Sequence, residues 1–281
     1  MTPHLACLPP LVLTFSAADP SGGAGLQADV LTISALGCHP LSVATAITVQ
    51  DTVGVAGIMA VPADWVARQA RRLLADMPVA AFKIGLLGSV ENIALIAQII
   101  AEYPGIPLVL DPILASGRGD ELADRKMIAG LRERLLPLTT VLTPNTLEAR
   151  RLSAGDEEDP AVVLPLAECA RRLLDFGCRH VLLTGTHARS EQVVNRLYEQ
   201  RSGLLRQDVW PRLPGEYHGS GCTLAAAVAA CLATGMPVGE AVRAAQEYTW
   251  QSLAAAFQPG AGQCIPDRNF ELRARRAARD E

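Results

Sequence analysis

Three short stretches of this 281-residue chain concentrate the side chains and glycines suited to handling a small polar ligand. The first runs Ala18-Asp19-Pro20-Ser21-Gly22-Gly23-Ala24-Gly25-Leu26-Gln27-Ala28-Asp29. Its clustered glycines let a backbone approach a ligand closely, at the entry to a helix whose free N–H groups attract polar groups. The spacing is neither that of a Walker phosphate loop nor that of a dinucleotide fingerprint. Asp29 falls on the first helical turns, where a carboxylate also has a plain role as partner of the helix dipole. The second stretch is Gly219-Ser220-Gly221-Cys222-Thr223-Leu224, ahead of an Ala-rich run. Two glycines before a helix open a nest of N–H groups that can hold the equatorial oxygens of a phosphoryl group in transfer. A cysteine at such a helix start is expected to have a lowered thiol pKa; its plainer reading is a buried thiol without chemistry. The third combines Asp111-Pro112 with Thr143-Pro144-Asn145-Thr146-Leu147-Glu148. Oxygen ligands of this kind suit Mg²⁺, shared with waters and substrate phosphates. Asn145 followed three residues later by Glu148 is equally the pattern of a capping box.

Stretches of this kind act only where strand ends and helix starts bring them together. Short apolar runs alternate with helical patterns almost throughout. Strands are expected at 11–15, 41–49, 55–61, 80–84, 107–111, 140–143 and 179–184, with antiparallel strands near 192–199 and 204–210. Helices are expected at about 25–36, 62–76, 89–102, 121–135, from Asn145, at 165–176, 220–234 and 238–256. Pro62 opens one helix, and Gly37 and Gly177 close two others. Repeated βα units imply a mostly parallel central sheet with helices on both faces, and ligands at the carboxyl ends of its strands. One domain is expected, with an ordered body of about 11–257 and a solvated tail that carries the basic run Arg273 to Arg279.

Composition supports this α/β class. Apolar residues reach 49% while aromatics are only 4%, so the core is built from small aliphatic side chains that let helices lie close to a parallel sheet. The net charge of −4, without a clustered Lys/Arg face, gives no reason to expect nucleic acid or an anionic membrane as partner. Seven scattered cysteines without a Cys-x-x-Cys pair point to reduced thiols in a cytoplasmic protein. Pro9 and Pro10 interrupt the N-terminal apolar stretch, which makes a poor signal peptide, and no apolar run has membrane-spanning length.

Taken in order, the first stretch, Gln50 after a strand, Lys83-Ile84-Gly85-Leu86, the Thr143–Glu148 motif and Gly219–Thr223 resemble the hydroxymethylpyrimidine/phosphomethylpyrimidine kinases of the ribokinase-like superfamily. The resemblance covers roughly residues 11 to 257. It implies a ribokinase-like fold, ATP and Mg²⁺ as co-substrates, a small pyrimidine alcohol as acceptor and a homodimer. It also implies residue roles. Asp29 and Gln50 would hydrogen-bond the aminopyrimidine, with backbone near Thr48, while Ala17, Leu86 and Ile113 line the ring pocket. Asp111, Asn145 and Glu148 would hold Mg²⁺, and Asn145, Thr184, Gly185 and Gly221 would meet the nucleotide. Gly219, Ser220, Gly221 and Cys222 would form the anion hole. Three positions depart from the family pattern. Ala17 replaces the usual Gly, and Tyr217 replaces a small polar residue before His218. Thr184 stands where many members carry a Lys that reaches the phosphates; losing one such contact costs about 2.7–4 kcal/mol of transition-state stabilisation. The alternatives are a pyridoxal-type kinase of the same fold, against which Gln50 and the Asp-Pro-Ser-Gly-Gly segment favour the pyrimidine, and a catalytically reduced pyrimidine-binding homologue, to which Thr184 and Tyr217 point.

Overall fold

The computed structural model describes residues 8–115, 119, 121–155, 164–186 and 190–280. Among them, one sheet is built from β1 (Leu11–Ala18), β2 (His39–Gln50), β3 (Val55–Ala60), β4 (Val79–Ile84), β5 (Leu108–Leu110), β6 (Val141–Leu142), β7 (His180–Leu183), β8 (Gln192–Glu199) and β9 (Gly203–Pro211). The order across the sheet is β3-β2-β1-β4-β5-β6-β7-β8-β9. Strands β2, β1 and β4 to β7 are mutually parallel, and β3, β8 and β9 add antiparallel edges. The chain leaves β1 towards β2 on one side and later returns to β4 on the other. That reversal opens a crevice at the carboxyl ends of the central strands.

Strand alternation sorts the apolar residues into two layers. Val12, Ala81, Val109, Val141 and Leu182 face α7 (Ser220–Ala233) and α8 (Val238–Ala254), with Ile33 of α1 (Gly25–Ala35) in the same layer. Leu13, Phe15, Phe82, Ile84, Leu108 and Leu110 face the opposite layer, which includes α2 (Ala63–Asp76), α3 (Val90–Ala101) and α6 (Leu166–Asp175). Helix α7 is buried at every position from Cys222 to Leu232. A helix apolar all round belongs in the interior, and its alanines let it lie against β1, β4 and β5. Its N-terminus is thereby fixed at the crevice.

Local chemistry moved some boundaries. The helix expected over 121–135 starts later, as α4 (Arg125–Gly130), because the Asp124 carboxylate accepts the Met127 N–H at 2.8 Å and caps it there. The chain then continues through a wide turn at Leu131–Leu135 and a tight one at Leu136–Leu138. Asn145 caps α5 (Thr146–Ser153) rather than entering it.

The larger correction concerns the C-terminal segment, which does not end as a tail at 257. Phe257 pairs with Ile265, and the N–H groups of Gly262 and Gln263 reach Thr52 Oγ1 and the Thr52 carbonyl at 3.1 and 2.9 Å. Arg268 is buried and donates to the carbonyls of Gly22 and Gly23 and, at 3.0 Å, to Thr223 Oγ1. One side chain therefore ties both glycine motifs together before α9 (Phe270–Asp280) carries the basic run to the surface. Polar sequence with little periodicity gives no sign of this, because the partners are carbonyls far away in the chain. Arg268→Ala strips a donor from three acceptors, two of them in buried bonds, and is expected to cost at least about 2 kcal/mol in chemical denaturation. Arg275→Ala, on the exposed face of α9, is expected to stay within about 0.5 kcal/mol of the parent.

Candidate active site

A cavity of about 570 Å³ opens at the carboxyl ends of β1, β2 and β4 to β7, and most of the residues singled out by sequence line it. One end is formed by Ala17, Thr48, Gln50, Leu86 and Ile113. Ala17 packs against Ala46 and Leu86, with Ile113 beside them, so the extra methyl lies in the wall. A register shift between Val49 and Gln50, opposite β3, ends the regular ladder and turns Gln50 towards the cavity. Ile113 holds φ +33°, a strained conformation for a β-branched residue, at the point where the chain leaves β5 along the cavity.

The centre is formed by Asp111, Asn145, Glu148 and the segment Gly219–Cys222. Gly219 caps α7 with φ +80°, and the first helical bond runs from the Thr223 N–H to the Gly219 carbonyl at 2.9 Å. The N–H groups of the first turn ahead of it point out of the helix end, as an anion cradle requires. A Cβ on Gly219 would overlap the Gly23 carbonyl oxygen. A Cβ on Gly221 would have room, 3.7 Å from Asp111 Oδ2, but would stand between cradle and carboxylate.

Two expectations change here. Asp29 does not line the cavity. It lies one layer below, fully buried, accepting from Thr14 Oγ1 and paired with the buried Lys83 at 2.8 Å. Its place on the inner face of α1 points it at β1 and β4, so it supports the site from beneath. The Cys222 thiol is not acidic either. Burial pushes it up to about 12; Lys83 pulls the other way, while Asp111 and Asp29 reinforce the rise. The helix end cannot offset removal of a thiolate from water beside two carboxylates. Cys222 therefore stays protonated at neutral pH and hydrogen-bonds Asp111 as a neutral group.

Lys83 is a buried cation of this layer. Burial alone would lower its pKa, but the carboxylate neighbours, Asp29 above all, outweigh it and hold Lys83 at about 12. A lysine inside the apolar run Val79–Ile84 was the available sequence signal. Asp111 is raised by burial, with Lys83 opposing; Glu148 is raised by burial and then by the charge of Asp111. Glu148 accepts the Leu114 and Asn145 N–H groups at 3.2 and 2.9 Å, and Asn145 Oδ1 accepts those of Leu147 and Glu148. The capping box is thus formed, and it commits the Asn145 oxygen. Two desolvated carboxylates with raised pKa values suit a hard dication. Among the described residues no cluster of three or more His, Cys, Asp or Glu could hold a metal by itself. Asp111 and Glu148 offer oxygen donors of the kind a hard dication shared with phosphates and water would use.

Thr184 lines the far end of the cavity with Asn195, Trp210, Gln246 and Trp250. Gly185 lies behind it, its N–H donating to Asn195 Oδ1 at 2.9 Å. Gln246 joins Asn195, Trp210 and Asp208 in one buried hydrogen-bonded group, which sequence reasoning did not single out. Tyr217 lines the cavity but turns its hydroxyl to the Pro214 carbonyl at 2.7 Å. Asp19 and His218, also missed, lie 2.7 Å apart on the wall beside Gln50.

Solved structures share this architecture. Pyridoxal kinase from Staphylococcus aureus in complex with ADP matches with a TM-score of 0.83 at 27% identity, over 94% of each chain. Phosphomethylpyrimidine kinase from Clostridium difficile 630 matches with a TM-score of 0.73 at 31% identity, over 87% of this chain and 99% of that one. Fold and site therefore define a ribokinase-like small-molecule kinase. A sequence profile of the phosphomethylpyrimidine kinases matches residues 19–267. Hydroxymethylpyrimidine/phosphomethylpyrimidine kinase of Streptomyces coelicolor is 40% identical over 265 residues, covering 94% of this chain and 96% of that protein. The thiamine biosynthesis bifunctional protein ThiED of Geobacter sulfurreducens is 40% identical over 252 residues, and the chain spans half of its length. The chain belongs to the phosphomethylpyrimidine kinase family.

Two pairs of variants test the site. Lys83→Met strands the buried Asp29 carboxylate and is expected to cost about 3–5 kcal/mol in urea unfolding, more than half of it recovered in Lys83→Met/Asp29→Leu. A double variant no better than the single one would show that the two charges are not coupled. Gly221→Val is expected to melt close to the parent but lose at least about 100-fold in kcat. Gly219→Ala, forced against the Gly23 backbone, is expected to lose stability as well.

Proposed function

We propose that this protein transfers the γ-phosphoryl group of ATP to the hydroxymethyl oxygen of 4-amino-5-hydroxymethyl-2-methylpyrimidine, and then to the monophosphate so formed, in thiamine biosynthesis. The observation that carries this reading is the presence of Gln50 and the Gly219–Cys222 cradle on one continuous cavity, although 169 residues separate Gln50 from Gly219 in the chain. The ring lies against Ala17, Leu86 and Ile113, with Gln50 and the backbone near Thr48 at its polar edge. Its hydroxymethyl group then points to the space between Asp111 and Gly221. The nucleotide occupies the Thr184 end, its base against the stacked Trp210 and Trp250 side chains.

Phosphoryl transfer passes through a loose transition state, so alignment and charge stabilisation supply most of the rate. The free N–H groups at the start of α7 receive the equatorial oxygens. Lys83, buried close to Asp111 and Cys222 and balanced by Asp29, keeps this layer from carrying uncompensated carboxylate charge. Arg212 lines the same end of the cavity as Thr184. Asp111 and Glu148 would hold Mg²⁺, which would supply neutralisation of charge on the phosphates. Cys222 donates from a neutral thiol, which leaves the cradle free of negative charge.

The protein acts as a homodimer in the cytoplasm in this reading. The exposed Ile47, Val49 and Met59 share one face of β2 and β3 and would form the apolar face for the second copy, and the free cysteines suit a reducing compartment.

Pyridoxal is the discriminating competitor, because pyridoxal kinases share the fold so closely. The expected result is a higher kcat/KM for the pyrimidine alcohol than for pyridoxal in an ATP-coupled assay. Gln50→Ala is expected to raise KM for the pyrimidine about tenfold, the worth of one good hydrogen bond. A preference for pyridoxal overturns the substrate assignment, and binding of the pyrimidine without ADP release in the presence of Mg²⁺ identifies a carrier instead.

A further inference from the structure

The wall beside the pyrimidine pocket holds a hydrogen-bond chain whose direction can be worked out. His218 Nε2 lies 2.7 Å from Asp19 Oδ2 and 3.0 Å from the terminal amide of Gln50. A carboxylate only accepts, so His218 Nε2 carries a proton and donates it to Asp19. This holds whether the ring is neutral or charged. An N–H at that position cannot also accept from the Gln50 NH₂ group; donor would face donor. The two ends of a carboxamide exchange by a half-turn that leaves the outline unchanged. Gln50 therefore presents Oε1 to His218 and shares its proton, and the NH₂ group is left over. Among the described residues that NH₂ group has no other partner, and it borders the cavity.

Both upstream members are held rigidly. Asp19 Oδ1 accepts from the Ser21 N–H and hydroxyl at 2.9 and 2.7 Å, and Oδ2 accepts from the Ala24 N–H at 2.8 Å. These bonds and the one to His218 outweigh burial and hold the Asp19 carboxyl at about 2, so it is an ionised acceptor at neutral pH. The imidazole lies on Gly23, where any Cβ would overlap its Cδ2, and the His218 N–H bonds the Cys264 carbonyl at 2.8 Å. A fixed carboxylate orients a fixed ring, and the ring orients an otherwise free carboxamide.

We propose that His218, anchored by Asp19, is the positioning residue that sets Gln50 with its NH₂ group towards the cavity, so that the site reads a hydrogen-bond acceptor such as a ring nitrogen. The inference rests on the pyrimidine kinase reading above and adds the residue that fixes its specificity. His218 directly precedes Gly219, so the same residue joins the substrate-reading wall to the anion cradle.

The test uses the pyrimidine alcohol and three analogues, two in which one or the other ring nitrogen is replaced by C–H and one that lacks only the exocyclic amine, in steady-state assays with the intact protein. For the parent, one replacement is expected to raise KM about tenfold with a smaller change in kcat. His218→Ala and Gln50→Ala are expected to accept that analogue and the natural alcohol alike, and their effects are expected not to add in the double variant. His218→Gln, whose side-chain N–H can reach the place of Nε2, is expected to restore the discrimination. Full discrimination in His218→Ala overturns the proposal. So does a parent enzyme that ignores both ring replacements but rejects an analogue lacking only the exocyclic amine, since Gln50 would then read with its oxygen. Absence of any turnover of the pyrimidine by the parent overturns the underlying functional reading instead, which keeps the two failures apart.

Discussion

The close approach of two glycine motifs, one near each end of the chain, is the constraint on which the site depends. Gly219 sits so near the Gly23 carbonyl that no side chain fits between them. Arg268 clamps the same place by donating to Gly22, Gly23 and Thr223. The α1 and α7 helix starts are thereby locked together over the ends of β1 and β4. That contact sets the spacing of the two helix starts at the crevice. It explains why glycine is needed at Gly23 and Gly219, where the partners are a ring and a backbone carbonyl.

Electrostatics beneath the crevice follow from burial. Asp29, Asp111 and Glu148 are desolvated carboxylates, and Lys83 and Arg268 are buried cations close to them. The arrangement keeps Lys83 charged, leaves the carboxyls of Asp111 and Glu148 ready for a dication, and suppresses ionisation of Cys222. A transferring phosphoryl group would then meet N–H dipoles and a neutral thiol. A thiolate in the same place would repel it.

Much of this was legible in the sequence, for identifiable reasons. Buried parallel strands read as apolar runs, so β1, β2, β4 and β7 lie close to their expected places, and the glycine motifs mark the crevice because close backbone approach demands that residue. Roles that depend on depth were not legible. Asp29 looked like a ligand contact because it belongs to the first motif, but helical phase turns it inward to Lys83. Cys222 looked acidic because it begins a helix, but burial outweighs the helix end. Arg268 and the Asn195–Gln246 group carry no local signal, since their partners come from distant segments.

In the proposed reaction, one cavity serves both substrate reading and phosphoryl transfer. A crystal structure with ADP, Mg²⁺, aluminium fluoride and the pyrimidine alcohol tests this most directly. The expected result places the fluoride group within hydrogen-bond reach of the Gly221 and Cys222 N–H groups while the ring touches Gln50. A fluoride group bound away from the start of α7, or a pyrimidine seated outside the Gln50 wall, would contradict it.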